Sequence, residues 1–336
     1  MRRALAMLAA LGAALGTVLA ATAAVAGPPA APPPALAAAV GEYGPDDGLL
    51  TVYEDAGRLF VDGRGWSRAP LQPLSPGSYA PPDAPPRALA FEPGAVIVDG
   101  RRLPARDVGA EAVAAIQAGT RADPAALRAA ALAASPPAEP APRRPADLVD
   151  LTGVDPTIRL DIRYAGSDNF MGFALYERPA AYLQRPAAEA LGRVARALAA
   201  QGYGLLVHDA YRPWFVTRMF WDATPEASRI FVADPARGSR HNRGCAVDLT
   251  LYDLATGQPV EMTGRYDEMS RRSFADYPGG TGRQRWLRDL LRREMEKEGF
   301  VVLPEEWWHF DYKDWADYGI GNQTFEALAG SATPRP

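Results

Sequence analysis

Two stretches far apart in the chain carry the set of side chains that most constrains its fold. Residues 239–248 read Ser-Arg-His-Asn-Arg-Gly-Cys-Ala-Val-Asp, and residues 305–309 read Glu-Glu-Trp-Trp-His. His241, Asp248 and His309 offer two imidazoles and a carboxylate, which are good Zn²⁺ ligands, and a fourth position left to water makes a zinc site catalytic. Glu306 is then free to act on that water as a general base or acid. A fold that uses this set must bring the two stretches together.

With four further motifs, these residues resemble the D-alanyl-D-alanine dipeptidases of the zinc DD-peptidase family. The resemblance runs from about residue 147 to the end of the chain, and its motifs are residues 161–165, 168–170, 209–213 and 265–269. It implies an α+β catalytic domain that binds one Zn²⁺ per chain through His241, Asp248 and His309. The implied reaction is hydrolysis of the dipeptide D-Ala-D-Ala to free D-alanine.

The resemblance also implies roles for the other site residues. Glu306 is the catalytic base and acid, and Arg212 stabilises the oxyanion that forms on the peptide carbonyl, as a fixed guanidinium can. Ser239 and Asp267 match positions that contact the two ends of a small dipeptide. We expect Asp267 to pair with the amino terminus and Ser239 to help hold the terminal carboxylate. Tyr164 matches a position that lines the same pocket.

Several side chains near the motifs have more than one interpretation. Cys245 is a conceivable fourth zinc ligand, although a small buried residue at the start of a strand is the favoured role. His208 is expected to end a strand and form local hydrogen bonds. Glu305 is interpreted as a solvated neighbour of Glu306, with an exchange of their roles as the alternative. His and carboxylate ligands also accept divalent metals other than zinc.

The first 108 residues divide into three parts. Arg2 and Arg3 precede an apolar run that ends at the A-x-A site Ala24-Val25-Ala26, which predicts a signal peptide over residues 1–26, with a retained membrane anchor as the alternative. The protein is therefore expected to be exported, to the periplasm or the medium. Residues 27–40 are mostly Pro and Ala, which predicts a disordered spacer. Residues 41–108 contain four short β-type runs and predict a small all-β accessory domain, with a docking or a purely structural role.

A helical segment and a Pro-rich linker are expected over residues 109–147, before a catalytic domain at 148–330. There, residues 158–163 alternate as in a half-buried strand. Helices are expected from Pro186 to about Gly202, over 214–222 and over 284–298. Strands are expected at 204–208, 245–252, 300–303 and 307–312. This pattern predicts helices packed on a mostly antiparallel sheet.

Composition narrows the classes of partner and activity. The formal net charge of −4 provides no basic surface for nucleic acid, and a single cysteine excludes an internal disulfide. Beyond the signal segment, no stretch is apolar enough to span a bilayer. An exported enzyme would meet dipeptide released by wall turnover. A carboxypeptidase or endopeptidase acting on longer peptidoglycan peptides is one alternative, and a non-catalytic wall-binding module is another.

Overall fold

The computed structural model describes residues 27–82, 87–141 and 144–331. The predicted signal peptide, residues 1–26, lies outside the described residues. Within those three ranges, no helix is both long enough and apolar enough to cross a membrane. The described residues form two hydrophobic cores, a small one in the N-terminal sheet and a large one that surrounds the second sheet.

The N-terminal sheet is an antiparallel meander of eight strands in sequence order. It turns sharply at Ala56 and Gly57, whose φ angles of +49° and +76° suit a tight hairpin. All four β-type runs of the sequence form strands here, and four further strands were not expected. The strands are β1 Gly41–Tyr43, β2 Leu50–Asp55, β3 Arg58–Gly63, β4 Trp66–Ser75, β5 Ser78–Ala80, β6 Leu89–Glu92, β7 Ala95–Val98 and β8 Arg101–Pro104.

Three helices flank this sheet in sequence: α1 Pro34–Ala37, α2 Val108–Thr120 and α3 Pro124–Ala133. The first lies in the segment expected to be a disordered spacer, where Ala39 is buried against the N-terminal core. Asp107 and Asp123 cap α2 and α3 by accepting backbone N–H bonds, as Asp does at helix starts. Ile116 of α2 belongs to the large core, whereas Leu103 of β8 belongs to the small one.

The second sheet has five strands in the order β10-β12-β13-β15-β14. Only the pair β10 and β12 is parallel, which confirms a mostly antiparallel sheet in an α+β fold. Helices α4 and α6 pack on it. The elements are β10 Ile158–Leu160, α4 Arg185–Ala199, β12 Tyr203–Asp209, α5 Trp214–Ala223, β13 Ala246–Asp253, α6 Gly282–Lys297, β14 Phe300–Leu303 and β15 Glu306–Tyr312. A two-stranded sheet, β9 Leu148–Asp150 with β11 Tyr182–Gln184, and α7 Phe325–Ser331 complete the fold.

The central strand β13 places apolar and polar side chains on opposite faces, as strand geometry requires. Val247, Leu249 and Leu251 belong to the large core, whereas Asp248 and Thr250 alternate with them. Across β13 and β15, Asp248 stands directly opposite His309. The sheet register is irregular between Val207 and Asp209 in β12 and after Val302 in β14. Both irregularities lie beside this pair, and bulges often re-aim side chains near active sites.

Candidate active site

Three side chains converge at the sheet face that carries Asp248. His241 is in a 3-10 turn that ends at Gly244, whose φ of +66° leads the chain into β13. The Nε2 atom of His241 lies 3.0 Å from the Nδ1 atom of His309, and Oδ1 of Asp248 lies 3.2 Å and 3.0 Å from these two atoms. All three residues are buried. Within the described ranges, they form a group whose ligand atoms lie within 4.8 Å of one another.

Hydrogen bonds outside the group orient both imidazoles. Nδ1 of His241 lies 2.6 Å from the carbonyl oxygen of Ala210, and Nε2 of His309 lies 2.9 Å from Oδ1 of Asp311. Both oxygens accept an N–H, so the nitrogens that face each other present lone pairs, an arrangement typical of metal-binding histidines. Zinc–nitrogen bonds of about 2.0–2.1 Å in a tetrahedral site separate ligand atoms by roughly 3.3 Å. The observed separations fit such an ion closely.

The charges of the group also favour binding of a cation. Burial alone lowers the pKa of His309, but Asp311 and Asp248 together raise it well above its usual range. Burial alone raises the pKa of Asp248, but His241 and His309 hold it well below its usual range. The carboxylates around His309 thus favour a positive charge at this point, which a proton or a metal ion can supply.

Glu306 stands beside the group without joining it. It is the first residue of β15, one residue before the start expected from the sequence, and it pairs with Leu303 at the register shift of β14. Its Oε2 atom lies 3.7 Å from Nδ1 of His309. Burial raises the pKa of Glu306 to about 7, with His309 opposing the rise and Asp248 adding to it. A carboxylate with a pKa near neutrality can both take up and return a proton.

Arg212 is held in place by a buried carboxylate. Its Nε and Nη2 atoms lie 2.9 Å and 2.7 Å from Oδ2 of Asp209, whose Oδ1 accepts a 2.7 Å hydrogen bond from the hydroxyl of Tyr176. The guanidinium stacks over Phe220, 4.7 Å from the ring centroid. Its Nη2 atom lies 3.6 Å from Oδ2 of Asp248, which puts a fixed positive charge next to the metal-binding group.

Asp267 and Tyr164 form another part of the site. The hydroxyl of Tyr164 donates a 2.9 Å hydrogen bond to Oδ1 of Asp267. The other oxygen, Oδ2, is buried and has no hydrogen-bond partner among the described residues. Burial raises the pKa of Asp267 well above its usual range, and Asp248 raises it further. A buried carboxylate oxygen without a partner is costly, and a cationic ligand group removes that cost.

Ser239 contributes to the site through the turn that carries His241. Its hydroxyl oxygen accepts a 3.2 Å hydrogen bond from the backbone N–H of His241. Its own backbone N–H donates to Oδ1 of Asn242 at 2.7 Å. These bonds order the backbone before His241. A contact between Ser239 and a substrate carboxylate stays a prediction.

A cavity of about 210 Å³ unites the predicted site residues. A ligand pocket of this size suits a small molecule, since drug-sized ligands occupy about 300–1,000 Å³. All eight predicted residues line it, and their individual roles remain predictions: Tyr164, Arg212, Ser239, His241, Asp248, Asp267, Glu306 and His309. Glu305, expected to be a solvated neighbour, also borders this cavity.

His208 and Cys245 lie outside the group of His241, Asp248 and His309. The ring of His208 stacks on Tyr266 at 4.6 Å, and its Nδ1 atom lies 3.2 Å from the carbonyl oxygen of Asp161. Cys245 is fully buried, and burial raises the pKa of its thiol to about 12. The structure therefore agrees with local hydrogen bonding for His208 and a small buried role for Cys245.

Sequence reasoning missed several residues that contact the site residues, among them three polar ones. Asp311 binds His309, Asp209 binds Arg212, and the hydroxyl of Tyr266 donates to Oδ2 of Asp248 at 3.1 Å. Asp311 was detectable, because it lies two residues after His309 on a strand and so shares its face. Asp209 and Tyr266 lie within recognised motifs, but nothing local showed which side chains they contact.

Comparison with known proteins places this geometry in context. A family model described as D-Ala-D-Ala dipeptidase matches residues 144–329. The D-alanyl-D-alanine dipeptidase of Escherichia coli K12 is 35% identical over 187 residues, which cover 56% of this chain and 95% of that protein. The dipeptidase of that name from Enterococcus faecium is 37% identical over 175 residues, 47% of this chain and 87% of that protein. The solved LdcB LD-carboxypeptidase is 19% identical, with a TM-score of 0.30 over 55% of this chain and 72% of that chain.

Proposed function

The chain belongs to the D-Ala-D-Ala dipeptidase family of metallopeptidases, and from that premise we propose that it uses Zn²⁺ to hydrolyse the D-alanyl-D-alanine dipeptide to free D-alanine. The observation that carries the proposal is the buried group of His241, Asp248 and His309, whose lone-pair atoms lie 3.0–3.2 Å apart. Two imidazoles and one carboxylate with further room for water match a catalytic zinc site.

The side chains around the group have different proposed roles in the hydrolysis. When bound, Zn²⁺ supplies Lewis-acid chemistry that lowers the pKa of water and polarises a carbonyl. Glu306 takes the proton from the attacking water and then delivers it to the leaving amine. Arg212, held by Asp209, stabilises the negative charge that develops on the carbonyl oxygen. No covalent bond between enzyme and substrate is required.

The dimensions and charges of the cavity favour a short substrate with a free amino group. Oδ2 of Asp267 has no partner among the described residues and suits an ammonium group. We propose that Asp267 binds the amino terminus, that Ser239 helps to hold the terminal carboxylate and that Tyr164 lines the pocket between them. A cavity of about 210 Å³ suits a dipeptide better than a longer peptide.

We further propose a setting for this reaction. The N-terminal sequence supports export to the periplasm or the medium. There the substrate would be dipeptide released by turnover of peptidoglycan. The N-terminal sheet, residues 41–104, is proposed to be a small all-β accessory domain attached to this enzyme.

The deciding experiment compares D-alanine release from D-Ala-D-Ala by the zinc-loaded wild type and by Glu306→Gln. The variant is expected to keep stoichiometric metal and lose activity by about 10²–10⁴-fold, the contribution typical of a general base. Glu305→Gln, which changes the adjacent acid in the same way, serves as the matched control and is expected to stay active.

Other outcomes would redirect the proposal. Bound zinc without any D-alanine release from the wild type would move the substrate to longer wall peptides, which can be tested directly with a pentapeptide ending in D-Ala-D-Ala. A wild type that binds no metal and releases no D-alanine would favour a non-catalytic wall-binding module.

A further inference from the structure

The segment that carries Asp267 has a conformation that its surroundings must hold. This segment, the Asp267 loop (residues 263–273), lies between β13 and α6. Asp267 has a φ of +57°, in the left-handed region that non-glycine residues occupy at a cost. A cavity of about 790 Å³ lies behind the loop and borders Asp267 and Glu268. Residues of α2, including Gly109 and Gln117, line the same cavity.

Glu268 is the internal anchor of the Asp267 loop. Its carboxylate is buried and accepts hydrogen bonds from the backbone N–H of Arg265 at 2.9 Å, from the hydroxyl of Ser270 at 2.6 Å and from Nη2 of Arg272 at 2.8 Å. The backbone oxygen of Glu268 accepts a bond from Ser270 N–H at 2.9 Å. Movement of Glu268 would therefore move the loop on both sides of Asp267.

Helix α2 packs directly on this anchor. A Cβ atom added to Gly109, in the first turn of the helix, would lie 2.2 Å from Cγ of Glu268. One residue before the helix, Asp107 caps it and also accepts a 2.6 Å hydrogen bond from Nη2 of Arg265. Two residues of the α2 start thus contact the two residues, Arg265 and Glu268, that flank the Tyr266-Asp267 pair.

The other end of α2 contacts the chain that follows Tyr164, the hydrogen-bond partner of Asp267. Nε2 of Gln117 donates a hydrogen bond to the carbonyl oxygen of Asn169 at 3.1 Å. The hydroxyl of Thr120 donates one to the carbonyl oxygen of Met171 at 2.9 Å. Between the two ends, Ile116 is buried in the large core and fixes the helix. One helix therefore contacts both segments that carry the Tyr164–Asp267 hydrogen bond.

We propose that α2 is a positioning element for the amino-group end of the dipeptide site, and that it acts through Glu268 and the Asp267 loop. This inference rests on the proposed function. The helix lies upstream of the region that matches the dipeptidase family, at residues 144–329. A part of this chain added to the family domain thus sets how tightly the site holds a substrate with a free amino terminus.

The test compares two glycines of the same helix. Gly109→Ala forces the added methyl group against Glu268, whereas an added Cβ at Gly119 meets nothing within 4 Å. Both changes replace a glycine of α2 by the better helix former alanine, so Gly119→Ala is the matched control. For D-Ala-D-Ala we expect Gly109→Ala to raise KM about tenfold with kcat within about threefold, the pattern of lost uniform binding. Gly119→Ala should match the wild type.

A second substrate separates positioning from a general structural defect. N-acetyl-D-Ala-D-Ala lacks the ammonium group, so its cleavage should change much less in Gly109→Ala, and the preference for the free dipeptide should fall about tenfold. Should Gly109→Ala not fold, Asp107→Asn decides, because Asn keeps the helix cap but removes the charge that pairs with Arg265. That pair is partly exposed, so the expected rise in KM is about two- to threefold.

Three results would overturn the inference. In the first, Gly109→Ala or its substitute Asp107→Asn matches Gly119→Ala in KM and in preference between the two substrates. In the second, activity falls equally on both substrates, which indicates a general loss of structure. In the third, the zinc-loaded wild type releases no D-alanine, which would remove the proposed function together with this inference.

Discussion

Replacing Asp311 with alanine is expected to weaken metal binding, although Asp311 is not one of the three proposed ligands. Its Oδ1 atom accepts a 2.9 Å hydrogen bond from Nε2 of His309, and its side chain is 15% exposed. A hydrogen bond with a charged partner is worth about 1.5–3 kcal/mol. At about 1.4 kcal/mol per tenfold change, this corresponds to a Kd for zinc that is roughly 10–100-fold higher. Mutation of a residue that hydrogen-bonds the second ring nitrogen of a metal-ligating histidine typically lowers metal affinity or activity by about 10–100-fold, which is the same range.

The assay is competition for zinc between the protein and a chromophoric chelator at fixed pH. Asp311→Asn keeps an oxygen that accepts the His309 N–H but removes the charge, so its Kd should lie between those of the wild type and Asp311→Ala. Asp314→Ala is the control, since that carboxylate pairs with Arg144. If the Kd of Asp311→Ala for zinc lies within about twofold of the wild-type value, Asp311 neither orients the His309 ring nor strengthens its binding of the metal, and the reasoning is refuted.

Further predictions concern the arginine, the thiol and the core. Asp209→Asn should lower kcat about 10–100-fold with little change in KM, as measured by steady-state kinetics. This loss is smaller than the roughly 100–1,000-fold loss in kcat that follows removal of an oxyanion-stabilising donor itself. Since burial raises the pKa of Cys245 to about 12, the native thiol is protonated at pH 8 and should resist maleimide labelling until urea unfolds the chain; rapid native labelling would contradict this. Leu291→Ala, at a fully buried position of α6, should lower the free energy of unfolding by about 2–5 kcal/mol in urea titrations, whereas a loss below 1 kcal/mol would argue against tight packing there.

Local periodicity predicted the regular elements of the second sheet well. The strand expected at 300–303 coincides with β14, and the helix expected at 284–298 is α6, Gly282–Lys297. Helix α6 starts earlier than expected because Thr281 and Gln284 form a reciprocal capping box. The strand expected over 158–163 ends at Leu160, since a 3-10 turn begins at Arg163.

The site was predictable as a set of residues but not as a network of contacts. The resemblance of the motifs to the dipeptidase family identified eight residues, and all eight line one cavity. The partners that orient them come from elsewhere: Ala210 supplies a backbone oxygen to His241, and Tyr176 supplies a hydroxyl to Asp209. Such contacts depend on tertiary packing, which no local pattern encodes. The same holds for α2, whose composition predicted a helix but not its contact with Glu268.

The direct pairing of Asp248 with His309 has a consequence for how this chain tolerates changes in length. Two of the three proposed metal ligands, Asp248 and His309, lie close together because of the alignment of β13 with β15. A single residue inserted in or deleted from either strand would turn the following side chains to the opposite face. Substitutions around the site are expected to reduce metal affinity partially. A one-residue insertion between Glu306 and His309 is expected to abolish metal binding completely, because it separates the side chains of the site. Variation in length among functional descendants should therefore be confined to the loops that join these strands.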